Sequence, residues 1–284
     1  MIKLAAFADE AGQSADCQIR ALQRCGIGLL EIRGVDGKNV SDLTDREAEA
    51  YAEMFADAGI RVWSVGSPIG KIRITDDTDA HMEKFRRTLR TAKILGADKI
   101  RIFSFYEAYK AEPVVFSLLG EMVKAAEAAG IILCHENEKQ IYGDTLARVM
   151  RLRENVPGLQ FVYDPANFIE VGEDPAATLS AFHDKTLYFH IKDVIAETGE
   201  IVPAGFGDGR IAELIDRIPT EGETVLTLEP HLKVFEGYAA IDRTEMKNKF
   251  HYETNEAAFD AAVQALQGLL ADAGYRTAGG GYIK

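Results

Sequence analysis

The chain has 284 residues, of which 47% are hydrophobic and 27% charged, a composition that indicates a folded globular protein and excludes a disordered chain. Its formal net charge of −13 would repel a nucleic-acid backbone, so we expect no nucleic-acid partner. Three cysteines without a CxxC pair, no secretory leader and no uncharged apolar run of about 18 residues predict a cytoplasmic protein with no membrane span.

A regular alternation of helices and strands starts with an apolar run over residues 2–7, which predicts the first strand. Four glycines each end a helical stretch and directly precede an apolar, β-rich run: Gly26, Gly59, Gly96 and Gly130. Glycine fits the left-handed position just after a helix. Successive glycines lie 33 to 37 residues apart, which is close to one eighth of the chain and predicts repeated strand–helix units.

The same alternation continues along the chain. Thr44 and Glu47 form a capping-box pattern at a helix start, and Pro113 suits the first turn of a later helix. Eight predicted strands with continuous apolar runs are typical of parallel strands buried on both faces. We therefore predict an α/β fold, a single-domain (β/α)8 TIM barrel over residues 1–274 followed by a C-terminal tail at 275–284. An open doubly wound sheet is the alternative, but no G-x-G-x-x-G follows the first strand.

Polar side chains end four consecutive predicted strands: Glu136, Asp164, His190 and Glu229. In a TIM barrel the functional residues lie at these carboxyl ends of the strands. Each residue alone also has a structural explanation, as a turn residue or as a buried core histidine. Together, three carboxylates and one imidazole suit one divalent ion: Mn²⁺, Mg²⁺, Co²⁺ or Zn²⁺.

These motifs resemble the xylose isomerase-like TIM barrels, a superfamily of sugar-phosphate isomerases and epimerases. The matching segments follow the family's order and cover residues 135–137, 142–145, 164–168, 190–193, 203–209 and 228–231. The resemblance implies that Glu136, Asp164, His190 and Glu229 bind one divalent metal ion. It also implies that Glu136 and Glu229 form the catalytic acid/base pair. Asn167 departs from the pattern, since many relatives have histidine there.

The resemblance implies a metal-dependent isomerase or epimerase of a small-molecule sugar or sugar phosphate, which moves a proton through an enediolate. The alternatives are a lyase similar to inosose dehydratase, a non-catalytic metal- and sugar-binding barrel, and an endonuclease-type relative. Two features count against the endonuclease: the chain has only six histidines, and its net charge is negative. Family members often pair their barrels, so we also consider a homo-oligomer, with residues 275–284 as a candidate arm.

Substrate-binding candidates come from the strand ends and the loops that follow: Arg33, Lys71, Phe103, Asn167 and Lys192. For each of them, surface charge or loop packing is an equally good explanation. His135 precedes a proposed ligand, and we expect it to point away because successive strand residues face opposite sides. The sequence gives no reason for Phe206 in the glycine-rich segment 205–209.

Overall fold

Eight parallel strands form a closed barrel in the computed structural model, which describes residues 1–235, 247 and 250–284. The strands are β1 (Ile2–Ala6), β2 (Leu29–Ile32), β3 (Arg61–Gly66), β4 (Lys99–Ile102), β5 (Ile132–Glu136), β6 (Gln160–Tyr163), β7 (Tyr188–Ile191) and β8 (Thr224–Leu228). Each strand pairs with the next, and β8 pairs with β1 from Ile2↔Thr224 to Ala6↔Leu228. This closure confirms the predicted (β/α)8 barrel and excludes the open sheet.

Helices connect the strands around the outside of the barrel. They are α1 (Ala15–Arg24), α2 (Asp45–Asp57), α3 (Thr78–Leu95), α4 (Glu112–Ala128), α5 (Leu146–Asn155), α6 (Pro165–Glu170), α7 (Pro175–Phe182), α8 (Ile211–Arg217) and α9 (Asn255–Asp272). The Thr44–Glu47 capping box is present at the start of α2. The four junction glycines all have positive φ, between 68° and 77°, as the predicted left-handed position requires.

The segment predicted as a C-terminal tail contains a β-hairpin. Residues Arg276–Ala278 pair with Gly281–Ile283, and Tyr282 pairs with Ile2 at the first residue of β1. Because β1 starts there, the hairpin lies at the end of the barrel opposite the carboxyl ends of the strands. Two further short ribbons decorate the carboxyl-end loops, Gly34–Val35 with Lys38–Asn39 and Asp193–Ile195 with Glu200–Val202.

The lower part of the barrel interior is apolar. Six strands contribute one residue each to a buried cluster of Ala5, Trp63, Cys134, Val162, Tyr188 and Val225. The Trp63 and Tyr188 rings meet edge to face, with their centroids 4.7 Å apart. The Tyr188 hydroxyl donates to Glu31 Oε1 at 2.8 Å, so the polar layer of the barrel starts directly above this cluster.

The loop after β7 wraps its backbone around the carboxylate of Asp193. That carboxylate accepts hydrogen bonds from the amides of Gly205 (2.8 Å), Gly207 (3.1 Å) and Gly209 (2.8 Å). A Cβ atom at Gly207 would collide with Asp193 Oδ1. The spacing of the glycines therefore lets the backbone amides form a cradle around the Asp193 carboxylate. Phe206 is not part of this cradle: it points outward with 63% of its surface exposed and contacts Phe250.

Gly207→Ala should lower the free energy of unfolding by about 1–3 kcal/mol, because the new methyl group pushes the loop off the buried carboxylate. Urea denaturation followed by circular dichroism measures this change. Gly28→Ala is the matched control, since a Cβ atom there meets nothing within 4 Å. Equal unfolding midpoints for the two variants would contradict the proposed role of the cradle.

Candidate functional site

The four predicted metal ligands come together at the carboxyl end of the barrel. Glu136 ends β5, His190 lies in β7, and Asp164 and Glu229 directly follow β6 and β8. One ligand atom from each residue lies within 4.8 Å of the corresponding atoms of the other three. All four side chains are buried, so the adjacent strands deliver them to one enclosed point.

Both glutamates turn one oxygen toward an arginine and the other toward His190. Glu136 Oε2 lies 3.0 Å from Arg101 Nε, and Glu229 Oε1 lies 3.1 Å from Arg33 Nη1. The remaining oxygens, Glu136 Oε1 and Glu229 Oε2, lie 2.9 Å and 3.2 Å from the same atom, His190 Nδ1. The arginines therefore fix the outer edges of the two carboxylates, and the inner edges converge.

The residues at this point fit a divalent cation. Glu229 Oε2 and Asp164 Oδ2 are buried and accept no hydrogen bond from the described residues, although Lys192 Nζ lies 3.1 Å from Asp164 Oδ2. Burial of such oxygens without full compensation is costly. Three carboxylates with one imidazole are a ligand set that divalent ions accept. A buried cation would offset the negative charge gathered here.

The electrostatics of the ligands reflect this crowding of carboxylates. Burial alone would lower the pKa of His190, but the Glu136 and Glu31 carboxylates hold it well above its usual value. Burial raises the pKa of Asp164 to about 7, despite the nearby Lys192 ammonium. Both shifts favour the proton-bound forms of these side chains, as expected where buried carboxylates crowd together.

Glu31 contacts the candidate ligand His190 and was not predicted from the sequence. It lies in β2, is fully buried, and places Oε2 3.2 Å from His190 Nε2. Its other oxygen accepts the Tyr188 hydroxyl. A carboxylate on the far nitrogen of a metal-binding histidine fixes the orientation of the ring. Glu31 therefore holds the imidazole with Nδ1 toward the convergence point.

Glu31→Gln should weaken divalent-metal binding by about 10- to 100-fold, because the amide holds the His190 ring less firmly and carries no charge. Calorimetric titration of the metal-stripped protein with Mn²⁺ or Zn²⁺ measures the affinity. Glu53→Gln, on the exposed surface of α2, is the control. Unchanged affinity in Glu31→Gln would show that the contact does not orient the ligand.

A cleft of about 650 Å³, including its open mouth, is lined by arginines that contact the two glutamates, although none of the four candidate ligands lines it. Three of the predicted substrate-binding residues, Arg33, Lys71 and Phe103, line it. Arg101, which the sequence analysis did not select, also lines it. Arg33 and Arg101 connect the cleft to the candidate ligands, because each arginine lines the cleft and contacts one of the two glutamates.

Asn167 and Lys192, the other two predicted substrate contacts, lie beside Asp164 and do not line this cleft. Lys192 Nζ donates to Asn167 Oδ1 at 2.7 Å, and Asn167 Nδ2 donates to Glu136 Oε1 at 3.3 Å. Asp164 also caps α6 by accepting from the Asn167 amide at 3.0 Å. In this structure both residues brace the ligands.

Arg33 is enclosed by three carboxylates. It forms two hydrogen bonds with Asp9, at 3.0 Å each, and contacts Glu10 and Glu229 at 3.1 Å. Burial raises the pKa of Glu10 to about 8, although Arg33 opposes this shift. Glu10, Glu229 and His231 form a second acidic group, but Arg33 already supplies its positive charge.

His135 lies away from the ligands, as expected from strand alternation. Its Nε2 is 2.9 Å from Ser104 Oγ, and its ring meets Phe161 edge to face. Burial lowers the pKa of His135 to about 3, so the imidazole is neutral. We therefore assign it a packing role outside the site.

Comparisons with known proteins identify the fold family. The family model for the xylose isomerase-like TIM barrel matches residues 19–266. The chain resembles the structure of L-ribulose 3-epimerase (TM-score 0.73, 16% identity, 96% of this chain and 97% of that chain covered). It also resembles the probable 3-DHS dehydratase AsbF from Bacillus anthracis (0.70, 14%, 94% and 99%) and the IOLI protein with a binding zinc atom (0.70, 16%, 95% and 97%).

At these identities the structural similarities show the fold alone. No match was found among the curated proteins. Among the helices of the described ranges, none has the length and apolar character that a membrane span needs.

Proposed function

Because the chain belongs to the xylose isomerase-like TIM barrel family, we propose that it is a divalent-metal-dependent isomerase or epimerase of a sugar or sugar phosphate. The observation that carries this proposal is the pair of glutamates that meet at one atom, His190 Nδ1, from β5 and β8, which lie three strands apart in the barrel. Two carboxylates around one point are what a two-base proton transfer needs.

Glu136, Asp164, His190 and Glu229 would hold the metal ion. When bound, the ion would polarise the carbonyl and neighbouring hydroxyl oxygens of the substrate and so acidify the C–H bond between them. The residues of the chain then transfer the proton. One glutamate removes it from the substrate carbon, and the other returns a proton to the neighbouring carbon or to the opposite face.

Glu229 is suited to act as the base. Burial alone would raise its pKa, but the Lys192 ammonium and the His190 imidazole, 3.2 Å away, hold it well below its usual value. The carboxylate is therefore ionised at neutral pH. Arg33 donates a hydrogen bond to Oε1, and Oε2 faces His190.

A lyase acting on the same site is the second candidate. The fold is shared with the probable 3-DHS dehydratase AsbF, and Lys192 supplies a buried ammonium 3.1 Å from Asp164. In such a reaction a glutamate would remove a proton from carbon, and the neighbouring hydroxyl would leave as water after accepting a proton from Lys192. Arg33 and Arg101 would orient the glutamates in either reaction.

A panel of ketoses and ketose phosphates in D₂O, with Mn²⁺ added, tests the proposal. An epimerase or isomerase should produce a new sugar with one deuterium at the exchanged carbon, visible by NMR. A lyase should release water and raise the carbonyl absorbance. Absence of both deuterium exchange and divalent-metal binding would overturn the proposal.

A further inference from the structure

The surface that a ligand would touch in the cleft is more basic than the chain as a whole. Among the described residues that line it, the charged ones are four cationic side chains and one carboxylate: Arg33, Lys38, Lys71, Arg101 and Asp9. The chain itself carries a net charge of −13. A basic pocket in an acidic protein attracts anionic ligands selectively.

Two of these cations have their carboxylate partners outside the cleft wall. Lys71 Nζ lies 3.0 Å from Glu138 Oε2, and Arg101 Nε lies 3.0 Å from Glu136 Oε2. Neither glutamate lines the cleft. The glutamates therefore hold the two cations in place without lining the cleft, and the cationic groups themselves line it.

Arg101 has donor capacity that no described residue uses. Its side chain is only 4% exposed, Nε faces Glu136, and Nη1 donates to the carbonyl of Ser67 at 2.8 Å. Its third nitrogen, Nη2, makes no hydrogen bond with the described part of the chain. Since a nearly buried guanidinium donor is costly to leave unpaired, a ligand acceptor is expected there.

Phe103 brings Arg101 and Lys71 together. The Arg101 guanidinium carbon lies 4.5 Å from the centre of the Phe103 ring, and Lys71 Nζ lies 4.4 Å from the same centre. Cation–π contacts hold both groups at this ring. The two cations are therefore positioned by the protein at one ring that lines the cleft, and Arg101 also contacts Glu136.

We propose that the substrate carries an anionic group, a carboxylate or a phosphate, which binds Arg101 Nη2 beside Lys71. This inference rests on the proposed function, because it names the substrate class of that same site. The anion would lie next to the guanidinium that holds Glu136, so the reacting carbon and the anionic group belong to one compact molecule. A neutral ketose lacks the group that these cations are placed to bind.

Titration of the metal-loaded protein with inorganic phosphate tests binding, and kinetics with three substrates test its use. The substrates are a ketose, its phosphate ester and the corresponding keto acid, which distinguish phosphate from carboxylate. The wild type should convert one anionic substrate at least about tenfold more efficiently, in kcat/KM, than the neutral ketose. Lys71→Met should raise KM for the anion about tenfold more than for the ketose.

Arg101→Gln should abolish phosphate binding measured by calorimetry, and circular dichroism confirms that this variant is folded. Lys84→Met, at a half-buried position of α3 that does not line the cleft, is the matched control and should bind phosphate as the wild type does. Turnover of the ketose without any preference for an anion, or phosphate binding equal in all variants, would overturn the inference and leave the proposed function intact. Phosphate binding lost in Arg101→Gln, with no proton exchange in any substrate, would instead overturn the proposed function.

Discussion

Glu229→Gln should lower proton exchange at the substrate carbon by about 10²- to 10⁴-fold while the barrel stays folded. Glutamine has the shape of glutamate and can still accept from Arg33 Nη1 through its carbonyl oxygen. It cannot take a proton from carbon, so the base is lost and the packing is kept. Deuterium incorporation from D₂O, followed by NMR on a ketose that the wild type converts, measures the rate.

The comparison variant for this experiment is Glu10→Gln. Glu10 contacts the same arginine at 3.1 Å and is equally buried, but it does not contact His190. Its pKa is raised to about 8 by burial, so it is largely protonated at neutral pH, and the amide resembles that form. A loss smaller than tenfold is therefore expected. Undiminished exchange in Glu229→Gln would remove Glu229 from the base role.

The fold was predictable because its signals are local. A glycine in the left-handed conformation ends a helix, and an apolar run then begins a strand, so Gly26, Gly59, Gly96 and Gly130 mark units without any long-range information. The four metal-ligand candidates were accessible for a related reason. Each follows an apolar run in the sequence, and the barrel brings the ends of neighbouring strands together.

Glu31 and Arg101 were missed because they lie inside apolar runs and not after them. Glu31 is the one charged residue of the strand Leu29–Ile32, and Arg101 lies between two isoleucines in the strand Lys99–Ile102. The sequence pattern does not show that the barrel interior is polar near the carboxyl ends of the strands. Glu31 meets His190 across 159 residues of chain only because the barrel closes.

Asn167 and Lys192 show a different limit of sequence analysis. Both were predicted as substrate contacts from their position after strands, and both lie within a few ångströms of the ligands. Whether such a side chain faces the cleft or braces Asp164 depends on its rotamer and on the α6 cap. Spacing in the sequence carries neither piece of information.

Removal of the divalent ion with a chelator should abolish turnover and lower the thermal midpoint of unfolding. Ion binding at 100 times Kd stabilises a folded protein by about 2.7 kcal/mol. For a domain of about 150–250 residues, each kcal/mol corresponds to about 2–4 °C, so a decrease of roughly 5–10 °C is expected. The physical reason is that the buried Glu136, Asp164 and Glu229 carboxylates lose the cation that offsets their repulsion.

Differential scanning calorimetry of the stripped protein, with Mn²⁺, Mg²⁺, Co²⁺ and Zn²⁺ added back separately, measures the effect and identifies the preferred ion. Asp164→Asn is the matched variant, because it keeps the shape of the ligand and the α6 cap but removes one charge from the site. The ion should raise its midpoint less than that of the wild type. Identical melting curves for the stripped wild type with and without all four ions would exclude a metal centre at these residues, and the two glutamates would then need another source of acidity for the substrate C–H bond.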